Sequence, residues 1–84
     1  MKQRPESDSI TGFTGLSRIE LTGNRKCIID GLKGIREYHQ DRICMDLGKY
    51  SVCFLGDELY INCFSPEGAI IEGTIIALEF ESNA

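Results

Sequence analysis

From Leu16 onward, apolar and polar residues alternate with a period of two in short runs, and nothing repeats with helical spacing. That period is the mark of strands with one buried face. The runs are divided at Gly23-Asn24, Asp30-Gly31, Gly48-Lys49, Gly56-Asp57 and Ser65-Pro66-Glu67-Gly68, the punctuation of successive hairpins. The pattern predicts a single all-β domain over residues 16–84: about seven short antiparallel strands, mostly a meander, forming a small β-roll or compact sandwich. Residues 1–15 are polar and turn-prone and read as a flexible N-terminal tail, with Phe13 as an anchor.

The turns set a register. A two-residue turn at Gly48-Lys49 puts Leu47 opposite Tyr50, Met45 opposite Val52 and Ile43 opposite Phe54, with every large apolar side chain on one face. The same logic at Gly56-Asp57 puts Phe54 opposite Leu59, Val52 opposite Ile61 and Tyr50 opposite Cys63. The other face of this three-stranded unit then carries Arg42, Cys44, Asp46, Ser51, Cys53, Leu55, Tyr60 and Asn62. Nearer the start, a glycine-containing loop at residues 23–25 sets Ile19 opposite Ile29 and Leu21 opposite Cys27. In the last strand, Ile71, Gly73 and Ile75 keep one parity while Leu78 and Phe80 keep the other, so a β-bulge near Ile76-Ala77 would return them all to the core face.

A chain of 84 residues buries only about 60% of the surface that its unfolded form exposes, which leaves a thin margin of stability. Glu72 interrupts the longest apolar stretch, "GAIIEGTIIALEF", and "MKQRPESDSI" lacks a signal-peptide core, so a soluble, intracellular protein is expected. The net charge of −4 argues against nucleic acid as a partner. RNA binding by a small β-barrel would call for exposed aromatics among basic residues; Tyr38 and Tyr60 are candidates, but residues 50–84 contain no lysine or arginine. Nine bases and seven acids lie in residues 1–49, against six acids and no base thereafter, net charges of +2 and −6. Hairpins stacked in chain order would therefore give a basic flank with Arg25 and Lys26 and an acidic one with Glu72 and Glu79, suited to head-to-tail self-association into a homo-oligomer.

Cys27, Cys44, Cys53 and Cys63 form no C-x-x-C pair, and the sole histidine, His39, is far from all of them in sequence, so neither a metal site nor any cofactor is expected. Cys44 lies directly across from Cys53; in a reducing cytosol, four free thiols are the expectation. Glu37, Tyr38, His39 and Asp41 gather acid and base groups, but neighbours on a strand point in opposite directions, and no nucleophile with a base or phosphate loop accompanies them. No catalytic residue, enzyme activity or small-molecule substrate is expected.

The order Leu16-x-Arg18-Ile19-x-Leu21-x-Gly23-Asn24, then "IIDGLKGIREY", then Phe54-x-Gly56-x-x-Leu59-x-Ile61 and "IIEGTIIALEF" resembles the YabP/YqfC family of sporulation proteins, closest to its YqfC branch, over roughly residues 16–80. Lys33, Gly34, Ile35, Glu37 and Tyr38 keep the family's pattern, whereas Gly31 and Leu32 stand where it usually has polar residues. The resemblance implies a small non-enzymatic protein of the mother-cell cytoplasm, peripheral to the membrane around the forespore. It would act as a structural or adaptor component beside an integral membrane partner of the YqfD type. The alternatives are a small RNA-binding barrel and a self-assembling structural protein without a membrane partner. Lys33, Gly34, Glu37, Leu55, Tyr60 and Phe64 are the candidate interaction surface; Arg25, Lys26, Glu72 and Glu79 are the candidates for self-association. Gly34 is expected where side chains are resisted, through backbone conformation or close strand approach.

Overall fold

The computed structural model describes residues 17–83, so the expected tail and its Phe13 anchor lie outside the described residues. Six strands follow in order: β1 (Arg18–Thr22), β2 (Lys26–Asp30), β3 (Gly34–His39), β4 (Arg42–Asp46), β5 (Tyr50–Phe64) and β6 (Gly68–Ser82). They form one antiparallel sheet of spatial order β1-β2-β6-β5-β4-β3. The chain is therefore all-β, with β3 to β6 a meander and the β1–β2 hairpin annealed to the far side of β6.

This order forces curvature. In a flat sheet β2 and β3 would stand four strand spacings apart, about 19 Å, whereas the four Cα steps from Asp30 to Gly34 span about 14 Å at most. The sheet must coil so that its two ends approach. The connection is pinned to both ends: Gly31 N–H donates to the Glu67 carbonyl at 2.9 Å, and Lys33 N–H to the Asp46 carbonyl at 2.8 Å. Leu32, between them, packs against the core, which accounts for an apolar residue at this position.

The coiling is made in β5 and β6, each 15 residues long. Residues 51–55 of β5 pair with β4, and residues 68–72 of β6 pair with β2. Between these portions the β5–β6 ladder shifts register at Leu55/Gly56 and again at Asp57/Tyr60. The molecule thus has two half-sheets, β1-β2 with the first half of β6 and the second half of β5, and β3-β4 with the remaining halves. Their inner faces meet in one core that includes Cys27 and Ile29 of β2, Ile43 and Met45 of β4, Val52, Phe54 and Leu59 of β5, and Ile71 and Ile75 of β6.

At the bend, Gly73 has φ of +130° and lies against β5 so closely that a Cβ there would meet the Glu58 carbonyl oxygen at 2.5 Å. A Cβ at Gly56 would collide with the Thr74 carbonyl. These two glycines let the paired backbones cross at close range, as β-bulges and barrel corners require.

Several registers are as the sequence predicts: Met45 faces Val52, Ile43 faces Phe54, and Cys44 faces Cys53, while Ile19 faces Ile29 and Leu21 faces Cys27. Leu47 N–H donates to the Tyr50 carbonyl at 2.9 Å across the Gly48-Lys49 turn. Leu55 pairs with Ala77 and Gly56 with Ile75, so Ile76 is the expected extra residue of a bulge. Ile75 and Leu78 then both address the core. Phe80 does not: its ring is 60% exposed and tilts against Tyr50, with centroids 5.7 Å apart.

Four expectations are corrected. Gly56-Asp57 is not a hairpin turn but the bend within a single strand, so the described residues form six strands, and Val52 faces Phe80 while Ile61 faces Ile71. Gly34 lacks a positive φ, and a Cβ there would meet nothing within 4 Å. Hairpins do not stack in chain order: Lys26 sits directly opposite Glu72. Finally, Cys44 and Cys53 are joined as a disulfide between β4 and β5, leaving Cys27 and Cys63 as the free thiols. Direct opposition on adjacent strands holds the two sulfurs together.

Candidate interaction surface

Past the bend, β5 has β6 on one side and, among the described residues, no strand on the other, because β4 leaves it at Leu55. Other groups meet its outward amides. Leu59 N–H donates to the Gln40 carbonyl of the β3–β4 turn at 2.7 Å, and Ile61 N–H donates to the hydroxyl of Tyr38 at 2.9 Å. Between the two half-sheets this leaves a groove of about 600 Å³, lined by Tyr38, His39, Gln40, Glu58, Leu59 and Tyr60. Leu59 is buried, whereas Tyr38 and Tyr60 are about half exposed.

Glu58 lines both this groove and an adjoining one of about 410 Å³ that is also lined by Arg25, Lys26, Glu72 and Thr74. Its φ of +52° is the one positive value at a non-glycine residue among the described residues. Backbone strain of this kind is sustained only where the surroundings impose it, here the bulge opposite Gly73. Among the described residues its carboxylate has no hydrogen bond or ion pair.

Tyr60 on β5 lies opposite Glu72 on β6 and donates its hydroxyl to Glu72 Oε1 at 2.6 Å. That hydrogen bond raises the tyrosine above its ordinary pKa, and the same bond, opposed by partial desolvation and aided by Asn62 and Lys26, holds the Glu72 carboxyl below its own. Arg25 Nη1 donates to Thr74 Oγ1 at 2.6 Å beside this pair. Bases and acids are therefore interleaved on one face here rather than separated onto opposite flanks. Glu79 lies elsewhere, beside Cys53 on the outside of the other half-sheet.

That second outer face holds Glu37 and the disulfide. Arg42 Nε donates to Glu37 Oε1 at 2.8 Å, which keeps the guanidinium firmly ionised. The bulge at Arg36 lays its guanidinium over buried Ser51, with Arg36 Nη1 donating to Ser51 Oγ at 2.9 Å. Glu37 and Tyr38 address opposite faces of β3, so the Glu37, Tyr38, His39 and Asp41 run does not converge. Among the described residues no group of three or more His, Cys, Asp or Glu side chains is placed to hold a metal ion.

The six residues expected as an interaction surface do not form one patch. Lys33 is in the β2–β3 connection, Gly34 and Glu37 are on β3, and Leu55 is half-buried opposite Arg42. Tyr60 and Phe64 lie across the bend, on the second half of β5, with Phe64 59% exposed. Sequence reasoning missed Glu58, Gln40 and the Tyr38 hydroxyl bond. No periodicity announces a positive φ, and the groove exists only because β5 outruns β4.

The family model described as the YabP family matches residues 14–84. No curated protein and no solved structure matches the chain. Among the described residues no helix is long and apolar enough to cross a membrane.

Proposed function

We propose a function from a plain premise: the chain belongs to the YabP family and is a sporulation-related protein. Within that family the motif order favours the YqfC branch, and the reading that fits best is a non-enzymatic adaptor. It would be held at the membrane around the forespore by an integral membrane protein of the YqfD type. The observation that supports this is the second half of β5, which presents Tyr60 and Phe64 to solvent beside an edge that no strand among the described residues covers. A protein surface of exposed aromatics at an open sheet edge suits protein docking.

Tagged protein purified from sporulating cells tests the reading. The parent should bring down its membrane partner. Tyr60→Lys should still fold, at the modest cost of the hydroxyl bond to Glu72, yet lose the partner. A variant that captures the partner at the parental level would remove this surface from the assembly.

A further inference from the structure

The groove beside β5 joins three features that belong together chemically. Its floor is a strand edge, with the Ile61 N–H turned away from β6 and met only by a tyrosine hydroxyl. Its walls include the Tyr38 and Tyr60 rings. Glu58, carried by a strained bulge, also lines it, and its carboxylate has no partner among the described residues. Bulges beside binding sites re-aim side chains, and strain concentrates at ligand clamps. A backbone edge recognises another extended backbone, aromatic faces and a carboxylate recognise a cation, and the groove places both within one strand's reach.

We propose that residues 61–63 accept an extended segment of a partner protein as an added β-strand, beginning where the Gln40 carbonyl on the Leu59 N–H ends, with an arginine or lysine side chain of that segment seated between Tyr38 and Tyr60 against Glu58. This names the chemistry of the docking surface and so rests on the adaptor reading. The incoming carbonyl takes the Ile61 N–H from the Tyr38 hydroxyl, which serves as a placeholder for the missing strand.

The test is an amide chemical-shift titration of the isotope-labelled full chain. The probe is a short capped peptide of alternating valine and threonine with one central arginine, compared with the same peptide carrying glutamate there. The arginine peptide should give saturable shifts centred on residues 61–63 and Tyr38, and N-methylation of its edge-facing amides should abolish them. Its preference over the glutamate peptide should fall about fivefold in Glu58→Gln, the size of a good exposed ion pair. Tyr38→Phe, which keeps the ring and removes the competing hydroxyl, should bind more tightly. Shifts centred elsewhere, a charge preference that survives Glu58→Gln, or weaker binding by Tyr38→Phe overturns the proposal. If the parent captures its membrane partner in cells but ignores every peptide, strand addition fails and the adaptor reading stands. If it binds the peptide but captures nothing, the strand site stands and the adaptor reading fails.

Discussion

Replacing Gly73 with alanine should weaken the domain far more than the same change at Gly34. At Gly73 φ is +130°, a conformation L side chains rarely adopt, and holding alanine there carries about 1–3 kcal/mol of strain. The added carbon would lie 2.5 Å from the Glu58 carbonyl oxygen and 2.8 Å from Leu59 Cα. Both are main-chain atoms of the neighbouring strand, so neither can swing aside, and relief means parting β5 from β6 at the bend. Together these effects should remove at least about 3 kcal/mol, against a total stability of roughly 5–15 kcal/mol. For a domain this small each kcal/mol moves Tm by about 4–8 °C, so a fall of roughly 12 °C or more is expected. At Gly34 an added carbon meets nothing within 4 Å, and alanine should stay within about 0.5 kcal/mol of the parent or stabilise slightly, since glycine weakens strands. Circular dichroism melts and urea titrations of the two variants decide the matter. Gly73→Ala melting within a few degrees of Gly34→Ala would show that the bend does not depend on close backbone approach.

Val52 is fully buried between Met45 and Phe80, so Val52→Asp should leave the chain unfolded in a circular dichroism melt, because an unpaired core carboxylate costs several kcal/mol. Denatured, unreduced protein should titrate two thiols, not four; in the folded state Cys63 should react quickly and Cys27 slowly, since burial pushes the Cys27 thiol to about 11. Reducing the Cys44–Cys53 bond, which closes a separation of 9 residues, should lower stability by about 2.5 kcal/mol in a urea titration. Glu72, held below its ordinary 4.5 chiefly by the Tyr60 hydroxyl, adds stability that is present above that value and lost as pH falls through the lower folded one. Tyr60→Phe should therefore flatten the acid limb of the stability curve, and superimposable acid melts would contradict the assignment.

What was legible in the sequence was local. Two strands joined by a short loop carry their register in their own parity, which is why Met45 opposite Val52, Ile43 opposite Phe54, Cys44 opposite Cys53 and Ile19 opposite Ile29 are legible, and the parity switch in the last strand marks the extra residue at Ile76. The misreading at Gly56 has a physical cause: glycine permits both a chain reversal and a close crossing of paired strands, and only the partner, here Thr74, distinguishes the two. The pairing of β2 with β6 had no local signature, so Lys26 and Glu72 were assigned to opposite flanks although they are neighbours. The groove was illegible for the same reason, since it depends on strand lengths that differ across the sheet. The disulfide turned on an assumption about compartment rather than on geometry, which the sequence had right.

Because β2 finds its inner neighbour only in residues 68–72, the order of synthesis bears on how the domain is made. An isolated two-stranded hairpin is marginal in water, so β1 and β2, although formed first, have nothing durable to join until β6 has left the ribosome. At about 5–20 residues per second, that wait is roughly 3–10 s. During it Ile29 and Cys27, later buried, remain open to solvent and to other chains. The last strand made is thus the one that commits the first two, and a chain stopped within β6 would be a substrate for chaperones or proteases rather than a shorter version of the same domain.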